Sequence, residues 1–161
     1  MSKNYKPGTA AEALLMRLKL NGIDYLFGNA GTDFAPIIEA YANTQKTNVS
    51  LPEPIVIPHE TAAVAMAHGY YLTTGKPQAA MVHVNVGLAN SLMGIINTAS
   101  DNIPFFMMAG RTPITEHDRV GSRMTPVQYG QEMRDQSTML RESVKWDYEL
   151  RYPEQVCDLV D

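Results

Sequence analysis

The residues with the strongest chemical potential in this chain are carboxylate and imidazole groups set where apolar runs break. Glu60 follows Ile55-Val56-Ile57, a short β-branched run closed by Pro58, and precedes the small apolar residues Ala62-Ala63-Val64-Ala65. That pattern is a buried strand feeding a helix. It puts a carboxylate at the carboxyl end of a strand, the edge at which ligands bind in an open α/β sheet. A carboxyl among apolar neighbours has its charged form disfavoured. The same position also suits an acidic residue with no chemistry at all, because the helix macrodipole favours negative charge in a first turn. His59 does not extend the site to a metal: the zinc-protease signature needs a second histidine four residues on, and that residue is Ala63. His83 closes a third apolar run ahead of Val84-Asn85-Val86-Gly87-Leu88-Ala89-Asn90. A histidine at a strand end can relay protons or be a satisfied core residue. The loop Gly28-Asn29-Ala30-Gly31-Thr32-Asp33 has the look of a phosphate cradle, but the dinucleotide fingerprint needs three glycines at set spacing and this loop has two. Asp33 at the start of the next helix would also repel an anion.

The elements that must hold these groups alternate along the chain. A helix is expected over 9–21, with Thr9 as cap, Glu12 in capping-box position and Gly22 as stop. A strand at 24–27, the glycine loop and a helix carrying Phe34, Ile37, Ile38 and Tyr41 follow. The helix opened by Glu60 should end near Thr74, before Gly75-Lys76-Pro77. A strand over 79–84 leads to a turn at which Gly87 supplies unusual backbone angles, and then to a helix with Leu92, Met93, Ile95 and Ile96. A fourth strand is expected over 103–109, ended by Gly110-Arg111-Thr112-Pro113, and 115–129 suits a surface loop. A helical stretch opens at Gln131, Val144-Lys145-Trp146 is a candidate fifth strand, and a helix begins at Pro153. Strands alternating with helices predict a flavodoxin-like, doubly wound parallel sheet of about five or six strands, with helices on both faces.

Bulk composition narrows the function. In 161 residues, 45% hydrophobic and 19% charged is an ordinary globular balance with room for one full core. A net charge of -4 argues against a nucleic-acid partner. The apolar runs are too short for a membrane span, and the N-terminal residues contain no apolar signal core. The single cysteine, Cys157, excludes an internal disulfide framework and fits a cytoplasmic setting. The final helix has only begun when the chain stops, which leads us to expect a piece of a longer polypeptide.

Four motifs in order carry a resemblance: Gly-Ile-Asp-Tyr-Leu-Phe-Gly-Asn-Ala-Gly from Gly22, Ile-Pro-His-Glu-Thr-Ala-Ala from Ile57, His-Val-Asn-Val-Gly-Leu-Ala-Asn from His83, and Ile-Pro-Phe-Phe-Met-Met-Ala-Gly-Arg from Ile103. Together they resemble the N-terminal pyrimidine-binding domain of thiamine-diphosphate enzymes, in the acetolactate synthase and benzoylformate decarboxylase branch, over nearly the whole of 1–161. In that family the glutamate matching Glu60 hydrogen-bonds the cofactor's pyrimidine nitrogen and promotes the imino tautomer that deprotonates the thiazolium carbon. The resemblance further implies that Gly28, Asn29 and Gly31 form the family's first cofactor loop and that Asn90 borders the pyrimidine. Thr32 matches a serine touching the substrate carboxylate. His83 matches, in an ungapped alignment through Gly87 and Asn90, a proton-transfer histidine, and Gln131 matches a glutamine near the active site. Where synthases carry Gly-Pro-Gly, this chain has Asn85 and Val86 before Gly87, a departure that weighs against acetolactate synthesis.

The family also binds Mg2+ with the cofactor diphosphate, through a Gly-Asp-Gly stretch and a downstream asparagine of another domain, and nothing in this chain matches that stretch. A hard cation needs such oxygen ligands. The resemblance therefore implies that the central and diphosphate-binding domains are absent from this chain, that it does not turn over a 2-oxo acid alone, and that the active site forms between subunits of a dimer or tetramer. Two other readings remain: a non-catalytic small-molecule-binding or regulatory α/β module, and a natural separate subunit of a two-chain decarboxylase.

Overall fold

A computed structural model describes residues 5–161. The first helix, α1 (Ala10–Leu20), starts where Thr9 turns extended and its hydroxyl accepts the Glu12 N–H at 3.2 Å. The Glu12 carboxylate in turn takes the Gly8 N–H at 2.7 Å and the Tyr5 hydroxyl at 3.0 Å. Gly22, at φ 85°, ends the helix and releases the chain into β1 (Tyr25–Asn29). A 3-10 turn (Thr32–Phe34) and α2 (Ala35–Thr44) follow, then β2 (Glu53–Val56) and α3 (Glu60–Thr74). Helix α3 stops at Gly75, which is left-handed at φ 70°. After it come β3 (Gln78–Val82), α4 (Val84–Ser100) and β4 (Phe105–Ala109).

All strand pairings are parallel and the order is β2-β1-β3-β4. Because side chains alternate across a pleated sheet, Leu26, Ala79 and Met81 face α1 and α2, whereas Phe27, Ala80 and Val82 face α3 and α4. On the first side lie Leu15, Leu18, Ile37 and Ala40, and on the second Ala63, Val64, Ala67, Leu88 and Ile95. Leu15 and Leu18 are fully shielded, and burial of each leucine contributes roughly 1.5–3 kcal/mol. The doubly wound parallel architecture is the one the alternation of elements predicts.

Several local expectations differ. Among the described residues the sheet has four strands, not five or six. Val144 does run extended, at φ -123° and ψ 149°. No ladder joins it to the sheet, and it lines, together with Phe105, Phe106 and Trp146, a cavity of about 1060 Å³ beside β4. Gly87 makes no turn: α4 begins at Val84, and Gly87 lies inside it, where a Cβ would sit 3.0 Å from the Val82 Cβ. Its role is close approach of helix to strand, and the positive φ, 37°, falls on Val84 instead. Within the expected 115–129 loop a short α5 (Pro126–Gly130) is capped by Thr125 and Gln128. The stretch after Gln131 forms 3-10 turns (Gln136–Met139 and Arg141–Ser143), and the last helix, α6 (Val156–Val160), packs on α1.

Gln78 was outside the expected strand yet is fully buried at its start. Its Oε1 accepts the N–H groups of Asp24 and Tyr25 at 3.0 and 2.7 Å, and its Nε2 donates to Pro77 O at 2.6 Å. The amide thus satisfies the backbone donors with which β1 opens. Stranding a buried donor costs about 1–3 kcal/mol, so Gln78→Met, which keeps the volume and removes the acceptor, is expected to lower the unfolding free energy by roughly 2–4 kcal/mol in guanidinium titration. A loss under about 0.5 kcal/mol would show that those N–H groups find other partners.

The Glu12 carboxyl is held below its ordinary value of 4.5, first by the Gly8 N–H and then by Tyr5 and Asn43, against burial, which raises it. A group whose folded pKa lies below its unfolded one contributes stability above the unfolded value and loses it as pH falls through the folded value. Acid titration of wild type and Glu12→Gln should therefore show stability curves that separate above about pH 4.5 and converge below it. Parallel curves across the acid range would refute this role for Glu12.

Candidate functional site

In the order β2-β1-β3-β4, the chain leaves β1 and β3 in opposite directions, and a doubly wound sheet binds ligands at the carboxyl side of that switch point. Strand β1 ends at Asn29, which pairs with Val82, the last residue of β3. His83 comes immediately after. Its Nδ1 lies 2.6 Å from Asp33 Oδ1, and Asp33 Oδ2 accepts the Val84 N–H at 3.2 Å. On the other edge of the ring, Nε2 is 3.0 Å from Gln131 Nε2, Gln131 being the C-cap of α5. The Asp33 side chain is 7% exposed and that of His83 22%. Two glycines make the room: a Cβ on Gly31 would overlap the His83 ring, and one on Gly110 would overlap the Asp33 carboxylate. Bulkier residues at either position would displace the pair.

A second cluster forms where α3 begins. His59 is extended and its Nδ1 accepts the Thr61 N–H at 3.2 Å, capping the helix that Glu60 opens. Glu60 is buried, and its Oε2 accepts from Asn90 Nδ2 at 3.1 Å. The Thr61 hydroxyl donates to Asn90 O at 3.0 Å. The first turn of α3 is thereby tied to the second turn of α4. Glu60 Oε1 has no hydrogen-bond partner among the described residues, and Asn85 Oδ1, in the first turn of α4, is buried and unpaired. Polar atoms left open in this way at a ligand-binding edge are acceptors for a group that the protein itself does not supply.

The structure thus joins Glu60 to Asn90, and His83 to Gln131, among the residues singled out in the sequence. No hydrogen bond links the two clusters directly. Asn90 lies seven residues beyond His83 along α4, about 10 Å at 1.5 Å per residue. Gly28 sits within β1, against the Phe34 ring, rather than in the loop. Asn29 ends that strand, Gly31 caps the 3-10 turn, and Thr32 is exposed at its start. Asp33 is the residue that sequence reasoning set aside. Its only local signal was charge at a helix start, and its partners stand fifty and more positions away.

Comparison with known proteins bears on the family and the fold. Residues 8–139 match the family described as thiamine pyrophosphate enzyme, N-terminal TPP binding domain. The acetolactate synthase large subunit of Haemophilus influenzae is 31% identical over 103 residues, 64% of this chain and 17% of that protein. The thiamine diphosphate-dependent 4-hydroxybenzoylformate decarboxylase of Rhodococcus jostii superposes with a TM-score of 0.72 at 24% identity, over 95% of this chain and 26% of that one. Benzoylformate decarboxylase of Polynucleobacter necessarius does so at 0.71 and 19%, over 94% of this chain and 26% of that one. The chain therefore spans about a sixth to a quarter of the length of these proteins. With a match that covers most of its length and a buried glutamate at the strand-to-helix junction, the chain belongs to the N-terminal thiamine pyrophosphate-binding domain family.

Proposed function

We propose that this chain supplies the pyrimidine-binding half of a thiamine-diphosphate site acting on 2-oxo acids, with Glu60 as the acid that exchanges a proton with the cofactor's pyrimidine ring. One observation carries this reading: Glu60 is buried at the ligand-binding edge of the sheet, with Oε2 fixed by Asn90 and Oε1 without a protein partner. The residues fit the group. A flat heterocycle needs a carboxyl oxygen for its ring nitrogen, and Glu60 Oε1 is open for that bond. Gly28, Asn29, Gly31 and Asn90 would border the ring, while Thr32, His83 and Gln131 would face the 2-oxo acid. When bound, thiamine diphosphate supplies the electron sink through which a 2-oxo acid loses carbon dioxide or joins a second carbonyl compound. The protein's share is to hold the ring and move protons.

The diphosphate and its Mg2+ would be held by a further domain, so that 1–161 acts within a larger cytoplasmic assembly. Decarboxylation is favoured over acetolactate synthesis by Asn85 and Val86, which replace the Gly-Pro of the synthases. In the complete enzyme, Glu60→Gln keeps the Asn90 contact and removes the exchangeable proton. Turnover of the 2-oxo acid should fall by at least about 10²-fold, the low end of what acid–base catalysis contributes, with the unfolding midpoint little changed. Undiminished turnover would return Glu60 to the role of a helix-start carboxylate in a non-catalytic binding module.

A dimer or tetramer with the site at the subunit boundary is supported by the outer face of α4. No Asp, Glu, Lys or Arg occurs among its 17 residues, and Val86, Met93 and Ile96 are 52, 60 and 45% exposed. An uncharged, apolar stripe of that length is the composition of a helix buried against another subunit. Met93→Lys combined with Ile96→Glu is expected to convert the complete enzyme to monomers in sedimentation velocity. A dimer that persists with both charges in place would locate the interface on a different face.

A further inference from the structure

We propose that Asp33 is a positioning residue that fixes His83 in its Nδ1-protonated tautomer, so that Nε2 is the proton-accepting nitrogen of the site and Gln131 is the partner that answers its protonation. The use made of that proton rests on the proposed 2-oxo acid chemistry; the tautomer does not.

An ionised carboxylate only accepts hydrogen bonds. The 2.6 Å contact between Asp33 Oδ1 and His83 Nδ1 therefore requires a proton on Nδ1. In the neutral ring that leaves the Nε2 lone pair free, and a donor faces it: the Gln131 side-chain amide nitrogen, at 3.0 Å. The acid cannot turn away without loss, because its other oxygen accepts the Val84 N–H. The chain accepts strain to arrange this. Val84 is β-branched and stands at φ 37°, a conformation that costs about 1–3 kcal/mol, and it is the residue whose N–H meets Asp33. Gly31 and Gly110 are the cradle, since a Cβ at either would overlap the His83 ring or the Asp33 carboxylate. A histidine that merely filled the core would need none of these arrangements. His83 keeps a side chain 22% exposed above an acid that is 7% exposed, the arrangement in which a buried carboxylate orients an imidazole and steadies its cation.

The proton balance is simple. When Nε2 takes a proton from a reacting hydroxyl, the N–H bond forms as the O–H bond breaks, and the electron pair stays on the substrate oxygen. The imidazolium so formed has its charge beside Asp33. Gln131 then faces a donor with a donor and must turn its amide so that Oε1 accepts the new N–H. Return of the proton restores the starting arrangement.

The test reads the tautomer directly. Long-range 1H–15N correlation spectra of this 15N-labelled chain at neutral pH resolve which ring nitrogen of each histidine is protonated, with His83 assigned among the four by its loss in His83→Gln. Wild type should show Nδ1–H and an unprotonated Nε2. In Asp33→Asn the amide oxygen goes to the fixed Val84 N–H, the amide NH2 donates to Nδ1, and the signal should switch to Nε2–H. Gln131→Ala should retain the wild-type tautomer. In the complete enzyme Asp33→Asn should lower kcat by about 10²-fold with KM within about threefold. An Nε2–H ring in wild type, or an Asp33→Asn chain that keeps Nδ1–H, overturns the proposal. Should Asp33→Asn fail to fold, the wild-type and Gln131→Ala spectra still decide it. A switch from Nδ1–H in wild type to Nε2–H in Asp33→Asn, together with undiminished turnover in Glu60→Gln, would support Asp33 and sink only the cofactor reading.

Discussion

Gly94 packs against Val64, where a Cβ would lie only 3.0 Å from the Val64 Cβ and Cγ1, and this contact sets how closely α3 and α4 can approach. Gly87 does the same for α4 against β3, through Val82. Between them the two glycines fix the height of α4 over the sheet and its distance from its neighbour. Both polar clusters hang from that helix. Asn90 reaches Glu60 from its second turn, and the Val84 N–H that anchors Asp33 is its first donor. A slip of one residue along α4 would move these groups by about 1.5 Å and turn them by about 100°, more than a hydrogen bond near 3 Å tolerates. Packing without side chains at two positions thus sets the polar geometry several ångström away.

The parts of this arrangement that are written locally were legible in the sequence. Helix α3 starts at Glu60 and ends at Thr74, as the Pro58 break and Gly75 stop indicate. Thr9 caps α1 with its hydroxyl on Glu12 N–H. Contacts between distant segments were not. Asp33 looks like a helix-start acid until β1 and β3 are paired and His83 is brought beside it. Gln78 looks like a polar residue ahead of a strand, because its partners, the N–H groups of Asp24 and Tyr25, belong to a segment more than fifty positions earlier. Gly87 was read through its conformational freedom, whereas its use is the absence of a Cβ; one glycine symbol stands for both properties. Val144-Lys145-Trp146 has the β-branched and aromatic composition of a strand, but composition does not supply a ladder partner, and Val144 packs by its side chain on the cluster that Phe105 and Met107 also cover.

Charge is distributed in a way that complements this packing. Helices α3 and α4 contain one carboxylate between them, Glu60, and are held by apolar contacts. The segment after β4 is held the other way. Arg111 bridges Glu132 at 2.8 Å and Glu149 at 2.5 Å, Arg123 pairs with Glu132, and Arg141 spans Asp135 and Asp147. Glu132 is the hub, with its carboxyl held below the ordinary value first by the Thr112 hydroxyl and then by Arg111 and Arg123.

Gln131 is the residue directly before that hub. Its hold on His83 Nε2 is therefore only as firm as a partly exposed ion-pair network, in which single pairs contribute about 0–1 kcal/mol. Asp33, by contrast, grips Nδ1 from within a site fixed by steric exclusion at Gly31 and Gly110. The two sides of one imidazole are consequently held by interactions of different stiffness. The Nδ1 side is set by packing at Gly31 and Gly110, and the Nε2 side is bounded by a segment held through partly exposed ion pairs. A group approaching Nε2 has to displace a tethered amide, not a packed helix, and so does not disturb the α3–α4 contact that keeps Glu60 on Asn90.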